Sequence, residues 1–470
     1  MITALPRRFF SVQGMLKQGQ RVGELPKSKT VYQSFFEVAW PSALESVLVS
    51  LVSSVDTMMV GGLGEGAIAA VGITNQPKLI LLAAIMSLNV GVTAIVARRK
   101  GQDDKEGANR CLRQGVVLSA LMALTMGVFG FLFARPLMEF AGATPDYIDD
   151  AVAYFRILVF SVFFSALNLT ICAAWRGVGK TKIAMRTNII SNCVNLVFNY
   201  LLINGIGFFP RLEVRGAAIA TALGSFVACL ISIRSLLKDG EFLCIKGDKS
   251  LWRFDGVTMT RFRQISGSAF IEQVFMRIGF FVYAMIVAKL GTTPYATHLI
   301  CMNIINLSFA FADGCGIAAS SLVGQSLGAK RPDMAIVYGK TGQRIAFSIS
   351  CVLSLVFIFG RYFLVSLFSR EPAVIELGAQ VMFLIAFITF VQTTQVVISG
   401  CLRGAGDTRF VAVSSLISIT FIRPILSWVC CFTLGWGLIG AWIGMGLDQT
   451  MRMVLNFWRF SGGKWTKIRI

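Results

Sequence analysis

Along the chain, solid apolar runs of about 20 residues or more alternate with short polar connections. A run of that length, wound as a helix, spans the ~30 Å of hydrocarbon in a bilayer. Twelve such runs are legible, at 33–60, 67–97, 112–134, 151–174, 184–207, 214–236, 265–290, 295–326, 345–368, 373–400, 410–434 and 437–460. They are solid rather than alternating, which selects helices over the strands of a membrane barrel. The pattern predicts an all-α integral membrane protein with twelve transmembrane helices.

The pattern also repeats. Shifted by 227 residues, the chain overlays itself without a gap from about Pro41 to Lys182. Glu45 falls on Glu272, Gly64 on Gly291, Gly101 on Gly328, Pro145 on Pro372 and Arg176-Gly177 on Arg403-Gly404. After a short gap, "GAAIAT" (216–221) meets "GAWIGM" (440–445). Each copy holds six helices, an even number, so the two copies run parallel about an axis along the membrane normal. The expected organisation is an N-terminal segment (1–32), an N-lobe (33–236, helices 1–6), a linker (237–264), a C-lobe (265–460, helices 7–12) and a tail (461–470). Two packed six-helix lobes form a transporter architecture that a simple pore would not need.

Composition agrees. The 470 residues are 55% hydrophobic and 14% charged, against about 25% charged in a soluble domain. The net charge of +20 could suggest nucleic acid, but its placement argues otherwise. Basic residues gather in the N-terminal segment (Arg7, Arg8, Lys17), in every second connection (Arg98, Arg110 and Arg113; Arg176 and Lys180; Lys249, Arg261 and Arg263; Lys340 and Arg344; Arg403) and in the tail (Lys464, Arg469). By the positive-inside rule both termini are cytoplasmic, and the charge sets topology and favours anionic lipid rather than nucleic acid. The N-terminus lacks the apolar core of a signal peptide. The eleven cysteines form no C-x-x-C and read as small buried hydrophobes.

One stretch, "AAWRGVGKTK" (173–182), resembles the end of a phosphate-binding loop, which would imply ATP. The first glycine of that motif would be at 174, which is Ala174, and a helix precedes the stretch instead of a strand. The second copy reads "CLRGAGDTR", with Asp407 where Lys180 stands. A phosphate cradle would not exchange its lysine for a carboxylate. Both copies keep a turn: a glycine after a helix, a glycine free to take positive φ, and a threonine expected to cap the next helix. No nucleotide, metal or other cofactor is expected, and with a single histidine and no cluster of cytosol-facing His, Asp or Cys the chain is not expected to be an enzyme.

Together, "PSALESVLVSLVSSVDTMMVGGLG" in helix 1, "RGVGKT", "VRGAAIAT", "VGQSLGAKR" and "LRGAGDTR" resemble, in order, spacing and duplication, the multidrug and toxic compound extrusion (MATE) transporters, closer to their DinF-like branch than to the NorM-like one. The resemblance covers the chain from about residue 33. It implies two six-helix lobes and efflux of organic, often cationic, compounds against inward H⁺ or Na⁺.

Polar residues within the runs are the candidates for chemistry, since a charge at mid-membrane costs ~2.5–3.5 kcal/mol on insertion scales. Asp56 stands first, in the outer half of helix 1. Glu45 precedes it by eleven residues, about 20° from the same face and roughly 16 Å away. In helix 5, Asn188, Asn192, Asn195 and Asn199 form a stripe within about 40° of one face, able to hydrogen-bond a protonated Asp56 or to offer carbonyl oxygens to Na⁺. The resemblance makes Asp56 the cation-coupling residue of the N-lobe. It puts Asn195 and Asn199 where the family has an Asn and an Asp, and Thr221 beside them. The asparagine at 199 removes a carboxylate, which favours H⁺ over Na⁺, although Na⁺ at Asp56 stays open. In the C-lobe, Glu272 matches a coupling glutamate of the NorM-like branch, while Gln392 replaces that branch's aspartate. Glu272 could therefore be a coupling site, a substrate counter-ion, or a partner for Arg277 or Arg423. Glu45, Asp313 and Gln392 join it as candidates for the substrate cavity or a second coupling site. Lys78, Arg277 and Arg423 are expected to pair with acids. Pro41 should kink helix 1, and the family uses a proline there in gating. His298 reads as structural.

The expected function is a cation-coupled antiporter, H⁺ rather than Na⁺, exporting organic cationic or amphiphilic compounds by alternating access. Its expected setting is the plasma membrane, as a multi-pass monomer whose partners are a small organic substrate and lipid. The alternative is a flippase or exporter of a lipid-linked or anionic amphiphile. A major-facilitator transporter is disfavoured because "RRKGQDDKEGANR" does not carry that family's loop motif. A channel would conduct without alternating access.

Overall fold

The computed structural model describes residues 11–468 apart from 18, 62, 64, 207–208, 239 and 247–251; Arg7, Arg8, Lys249 and Arg469, read above as topogenic charges, lie outside them. Among the described residues the regular structure is helical. The long helices are α1 (Ser28–Gly61), α2 (Glu65–Gly101), α3 (Lys105–Leu132), α4 (Ile148–Val178), α5 (Thr181–Asn204), α6 (Glu213–Leu236), α7 (Gly256–Ala288), α8 (Thr292–Gly328), α9 (Pro332–Phe359), α10 (Pro372–Gly404), α11 (Thr408–Thr433) and α12 (Gly437–Ser461). Ten of them are long and apolar enough to cross a membrane. The other two, α5 and α12, carry the polar stripes Asn188–Asn199 and Asp448–Asn456, which lower their hydropathy.

Helix starts precede the apolar runs by about seven residues or more in three places. α3 begins at Lys105, α7 at Gly256 and α9 at Pro332, so Arg110, Arg113, Arg261, Arg263, Lys340 and Arg344, expected in loops, lie on helices. Backbone hydrogen bonding continues past the end of an apolar run, and basic side chains do not interrupt it.

The chain forms two contact units, residues 45–266 and residues 1–44 with 267–470. The division falls inside α1 and α7 instead of at residues 33 and 265. In the first unit the linker is docked on α3: Asn109 Nδ2 donates to Phe242 O (3.1 Å), Asn109 Oδ1 accepts from Cys244 N (2.7 Å) and Gln114 Nε2 donates to Arg253 O (2.5 Å). In the second unit the N-terminal segment is docked on α9. Val12, Met15 and Val31 pack with Met334 and Val337, and Lys340 Nζ donates to Met15 O (2.5 Å). The core of that unit joins Phe35, Val38 and Ala39 of α1 to α8, α9 and α10.

The turn between α4 and α5 recurs between α10 and α11 atom for atom. Gly179 and Gly406 both take φ of 88°. The amides of Gly179 and Lys180 donate to Arg176 O and Trp175 O, and those of Gly406 and Asp407 donate to Arg403 O and Leu402 O. The threonines do not cap: the N-cap positions are Lys180 and Asp407, neither of which makes a side-chain cap bond, and Thr408 Oγ1 instead shares a hydrogen bond with Ser268 Oγ at 2.7 Å. The Lys–Asp exchange has its own explanation. Lys180 pairs with Glu241 and Asp407 with Arg459 (2.7 Å), so each turn is held by an ion pair of opposite polarity.

α11 differs from its mate α5. It passes through two π-helical stretches, Leu416–Ile422 and Val429–Thr433, which flank Arg423–Trp428. Pro424 has no N–H to close the preceding turn, and the helix widens just ahead of it. Pro41 and Pro77 lie within continuous helix.

Candidate functional site

Within the first unit, α1, α5 and α6 bring together Asp56, Asn195, Asn199 and Thr221. Asp56 is half-buried, and Asn195 and Asn199 are buried. Asn199 Nδ2 donates to Asp56 Oδ1 at 2.7 Å. The orientation of the Asn195 amide follows from its network. Its Nδ2 donates to both oxygens of Asp56 (3.0 and 3.1 Å), and its Oδ1 accepts from Thr221 Oγ1 (3.3 Å) and Thr221 N (3.2 Å). Two amide donors therefore face the carboxylate. Lys78 of α2, which the sequence left without an assigned acid, interacts electrostatically with Asp56, and Tyr154 lies within the same field.

The asparagine stripe is divided. Asn188 does not join Asp56: it donates to Glu45 Oε1 at 2.5 Å and accepts from Asn168 Nδ2 at 3.2 Å. Asn192 Nδ2 is buried with no hydrogen-bond partner among the described residues, so this member stands outside the Asp56 network. A face about 40° wide on a helix of 24 residues meets different neighbours at its two ends, which spacing alone could not reveal.

Glu45 and Glu272 occupy twin sites. Arg176 and Asn188 both bond Glu45 Oε1, and Arg403 Nη2 (2.6 Å) and Ser415 Oγ (3.0 Å) both bond Glu272 Oε1. All three members of one site fall on those of the other at the 227-residue shift. Arg277 and Arg423 are thus not the partners of Glu272, and Arg176 and Arg403 are ion-paired anchors as well as topogenic charges.

Arg423 is buried on α11 and donates through Nε (2.9 Å) and Nη2 (2.6 Å) to Asp448 Oδ2 on α12, with Arg452 Nε 3.5 Å from Asp448 Oδ1. Sequence reasoning missed Asp448. Its signal was the polar stripe of α12, the counterpart of the one noticed on α5. Gln392 is buried on α10 with neither amide atom partnered among the described residues. Asp313 is exposed on α8 and interacts electrostatically with Arg403. His298 is packed between Tyr283 and Trp442, with ring centroids 5.5 Å from each. Among the described residues no group of three or more His, Cys, Asp or Glu could hold a metal ion.

The MatE family model matches the chain twice, over residues 41–201 and 268–429, two segments that start at the spacing of the internal repeat. A "Probable multidrug resistance protein NorM" of Thermotoga maritima is 25% identical over 446 residues, covering 94% of this chain and 95% of its own. The "Uncharacterized transporter YisQ" of Bacillus subtilis is 23% identical over 440 residues, covering 94% and 96%. Among solved structures, "Outward-facing conformation of a multidrug resistance MATE family transporter of the MOP superfamily" superposes with a TM-score of 0.86 at 20% identity, over 92% of this chain and 97% of that one.

Proposed function

The chain belongs to the MatE family of multidrug-efflux transporters, multi-pass membrane proteins that move compounds and are not enzymes, and we propose that it is a proton-coupled antiporter exporting organic, cationic or amphiphilic compounds. The observation that carries this reading is the pair of amide donors facing Asp56. A Na⁺ site needs converging oxygens. Here the asparagines turn their N–H₂ groups toward the carboxylate and their oxygens away. An asparagine can serve either protonation state, because its amide offers a donor on one side and an acceptor on the other. Asn199 Oδ1 is buried without a partner among the described residues, so turning this amide over would present an acceptor to a protonated Asp56 without breaking a bond to that oxygen.

In this mechanism all twelve long helices span the cytoplasmic membrane, both termini face the cytoplasm, and the chain works as a monomer. Protonation of Asp56 from outside removes the charge that its amide donors hold. The network then rearranges and releases substrate outward, and deprotonation toward the cytoplasm resets it. Pro41 supplies the flexible point of α1. One proton moving inward through 100 mV is worth ~2.3 kcal/mol, about fifty-fold in a gradient. Coupling then resides in the N-lobe, the DinF-like pattern, while Glu45 and Glu272, each engaged by an arginine, act as anchors.

The test is efflux of organic-cation dyes from proteoliposomes, with H⁺ and Na⁺ gradients imposed separately. Wild-type protein should respond to the H⁺ gradient alone. Asp56→Asn should still bind dye but lose pH-driven efflux. If that variant exports at the wild-type rate under a pH gradient, the role given to Asp56 is wrong.

A further inference from the structure

The C-terminal unit contains a polar interior that the coupling reading leaves unused and that has no counterpart in the other repeat. Arg423, Asp448, Arg452 and Gln449 lie on α11 and α12, and the three positions that mirror Arg423, Asp448 and Arg452 in the first repeat are Leu196, Gly224 and Ala228. Arg423, Asp448 and Gln449 are completely buried, and Arg452 is 7% exposed. Phe280 and Tyr283 cover the guanidinium of Arg423, with ring centroids 4.6 and 5.6 Å away. Gly446 brings α12 against Ile388 of α10, and one turn further along these helices come Gln449 and Gln392.

The charges here do not balance. Two guanidiniums, which do not lose their protons, share the single carboxylate of Asp448. The next acid, Glu272, is held by Arg403. The hydrogen bonds do not close either. Among the described residues, Arg423 Nη1, Trp442 Nε1, and both amide atoms of Gln392 and of Gln449 are buried without a hydrogen-bond partner, and Arg452 Nε and Asp448 Oδ1 face each other only as an ion pair at 3.5 Å, too long for a hydrogen bond. Buried polar atoms are almost always bonded, and a cluster of exceptions marks a place where something else bonds them. An excess positive charge with several free N–H donors, deep in an apolar unit, fits a small anion rather than a cation.

We propose that the C-terminal unit binds a small monovalent anion between α10, α11 and α12, held by Arg423, Arg452, Gln392 and Gln449. The chemistry admits a halide from the medium or the carboxylate of a small acid.

The test uses purified full-length protein in detergent at fixed ionic strength. Thermal unfolding is followed by tryptophan fluorescence in potassium gluconate, with gluconate replaced stepwise by chloride in one arm and by acetate in the other. Wild-type protein should show a saturable rise in Tm of roughly 2–4 °C, and the arm with the lower half-point identifies the halide or the carboxylate as the preferred ligand. Gln449→Leu and Gln392→Leu remove amides that lack partners, so each should melt at or above wild type in gluconate and lose the anion response. Asp56→Asn should keep it, which separates failure here from failure of the coupling reading. A wild-type Tm indifferent to both anions, or an equal response in both glutamine variants, would overturn the proposal and leave the polar interior to water.

Discussion

The twin turns allow a comparison of one substitution at two equivalent sites. Gly177 and Gly404 are repeat mates, each at the end of a helix whose last arginine holds a buried glutamate. A Cβ on Gly404 would lie 2.1 Å from Ser320 O and 2.6 Å from Ser320 Cα, whereas one on Gly177 would lie 2.8 Å from Thr93 O and 3.2 Å from Ala97 N. Alanine gains ~1 kcal/mol over glycine in a helix, while overpacking costs ~1–3 kcal/mol, rising with the depth of the overlap. At Gly177 the two nearly cancel, leaving a loss of about 0–1 kcal/mol. At Gly404 the overlap exceeds 1 Å, and the net loss should be about 2 kcal/mol. For a unit of ~250 residues that lowers Tm by roughly 4–8 °C. The assay is thermal unfolding of each variant in detergent, followed by intrinsic fluorescence. Because Arg403 precedes Gly404, spreading α8 from α10 should also loosen the Arg403–Glu272 pair. If Gly404→Ala melts with wild type, or if Gly177→Ala loses more than Gly404→Ala, close helix contact at this turn is not what requires glycine.

Three further outcomes can be measured. Arg423→Leu should destabilise by about 3 kcal/mol, the low end for breaking a buried pair because Arg452 remains near Asp448, whereas removing all three charges together (Arg423→Leu, Asp448→Leu and Arg452→Leu) should recover most of that loss; strictly additive losses in thermal unfolding of the triple variant would refute the pairing. Asn199→Asp replaces an amide donor with a second carboxylate, so it should slow proton-driven dye efflux in proteoliposomes and introduce a dependence on Na⁺; unchanged kinetics without Na⁺ dependence would count against the amide-donor argument. Asp255 accepts hydrogen bonds from Thr258 N (3.1 Å) and Oγ1 (3.0 Å) ahead of α7, and the Thr258 bonds hold its carboxyl below the usual range. A lowered folded-state pKa stabilises above the unfolded value and is lost as pH falls through the folded one, so Asp255→Ala should cost about 1 kcal/mol at pH 7 and progressively less under acid; a cost independent of pH down to 2 would exclude the carboxylate as the cap.

How far the sequence reached depended on the kind of feature. Apolar runs located the helices well, because crossing hydrocarbon demands both length and apolarity, and those are written residue by residue. They placed the starts of α3, α7 and α9 too late, since a helix needs no apolar side chains once outside the hydrocarbon. The stripe on α5 marked Asn195 and Asn199 as candidates beside Asp56, because three turns of one helix carry a recognisable pattern, whereas Thr221, on α6, entered only through the family resemblance. Lys78 could not be assigned to Asp56 from spacing, being on another helix. Asn188 looked like a member of that network until its neighbours across the interface were visible. The same limit hid Asp448, whose meaning depends on Arg423 approaching from α11.

The sequence by itself determined that this chain is helical and membrane-embedded, that it is duplicated, and that its phosphate-loop likeness is a helix-to-helix turn. Those properties follow from local patterns and from self-comparison. Only the tertiary structure decided which arginine meets which carboxylate, how the asparagine stripe is divided between Glu45 and Asp56, and why Lys180 and Asp407 can exchange. Each of those is a pairing between distant segments. In a membrane interior a buried charge must find its partner through packing, and one-dimensional spacing does not record which helix supplies it.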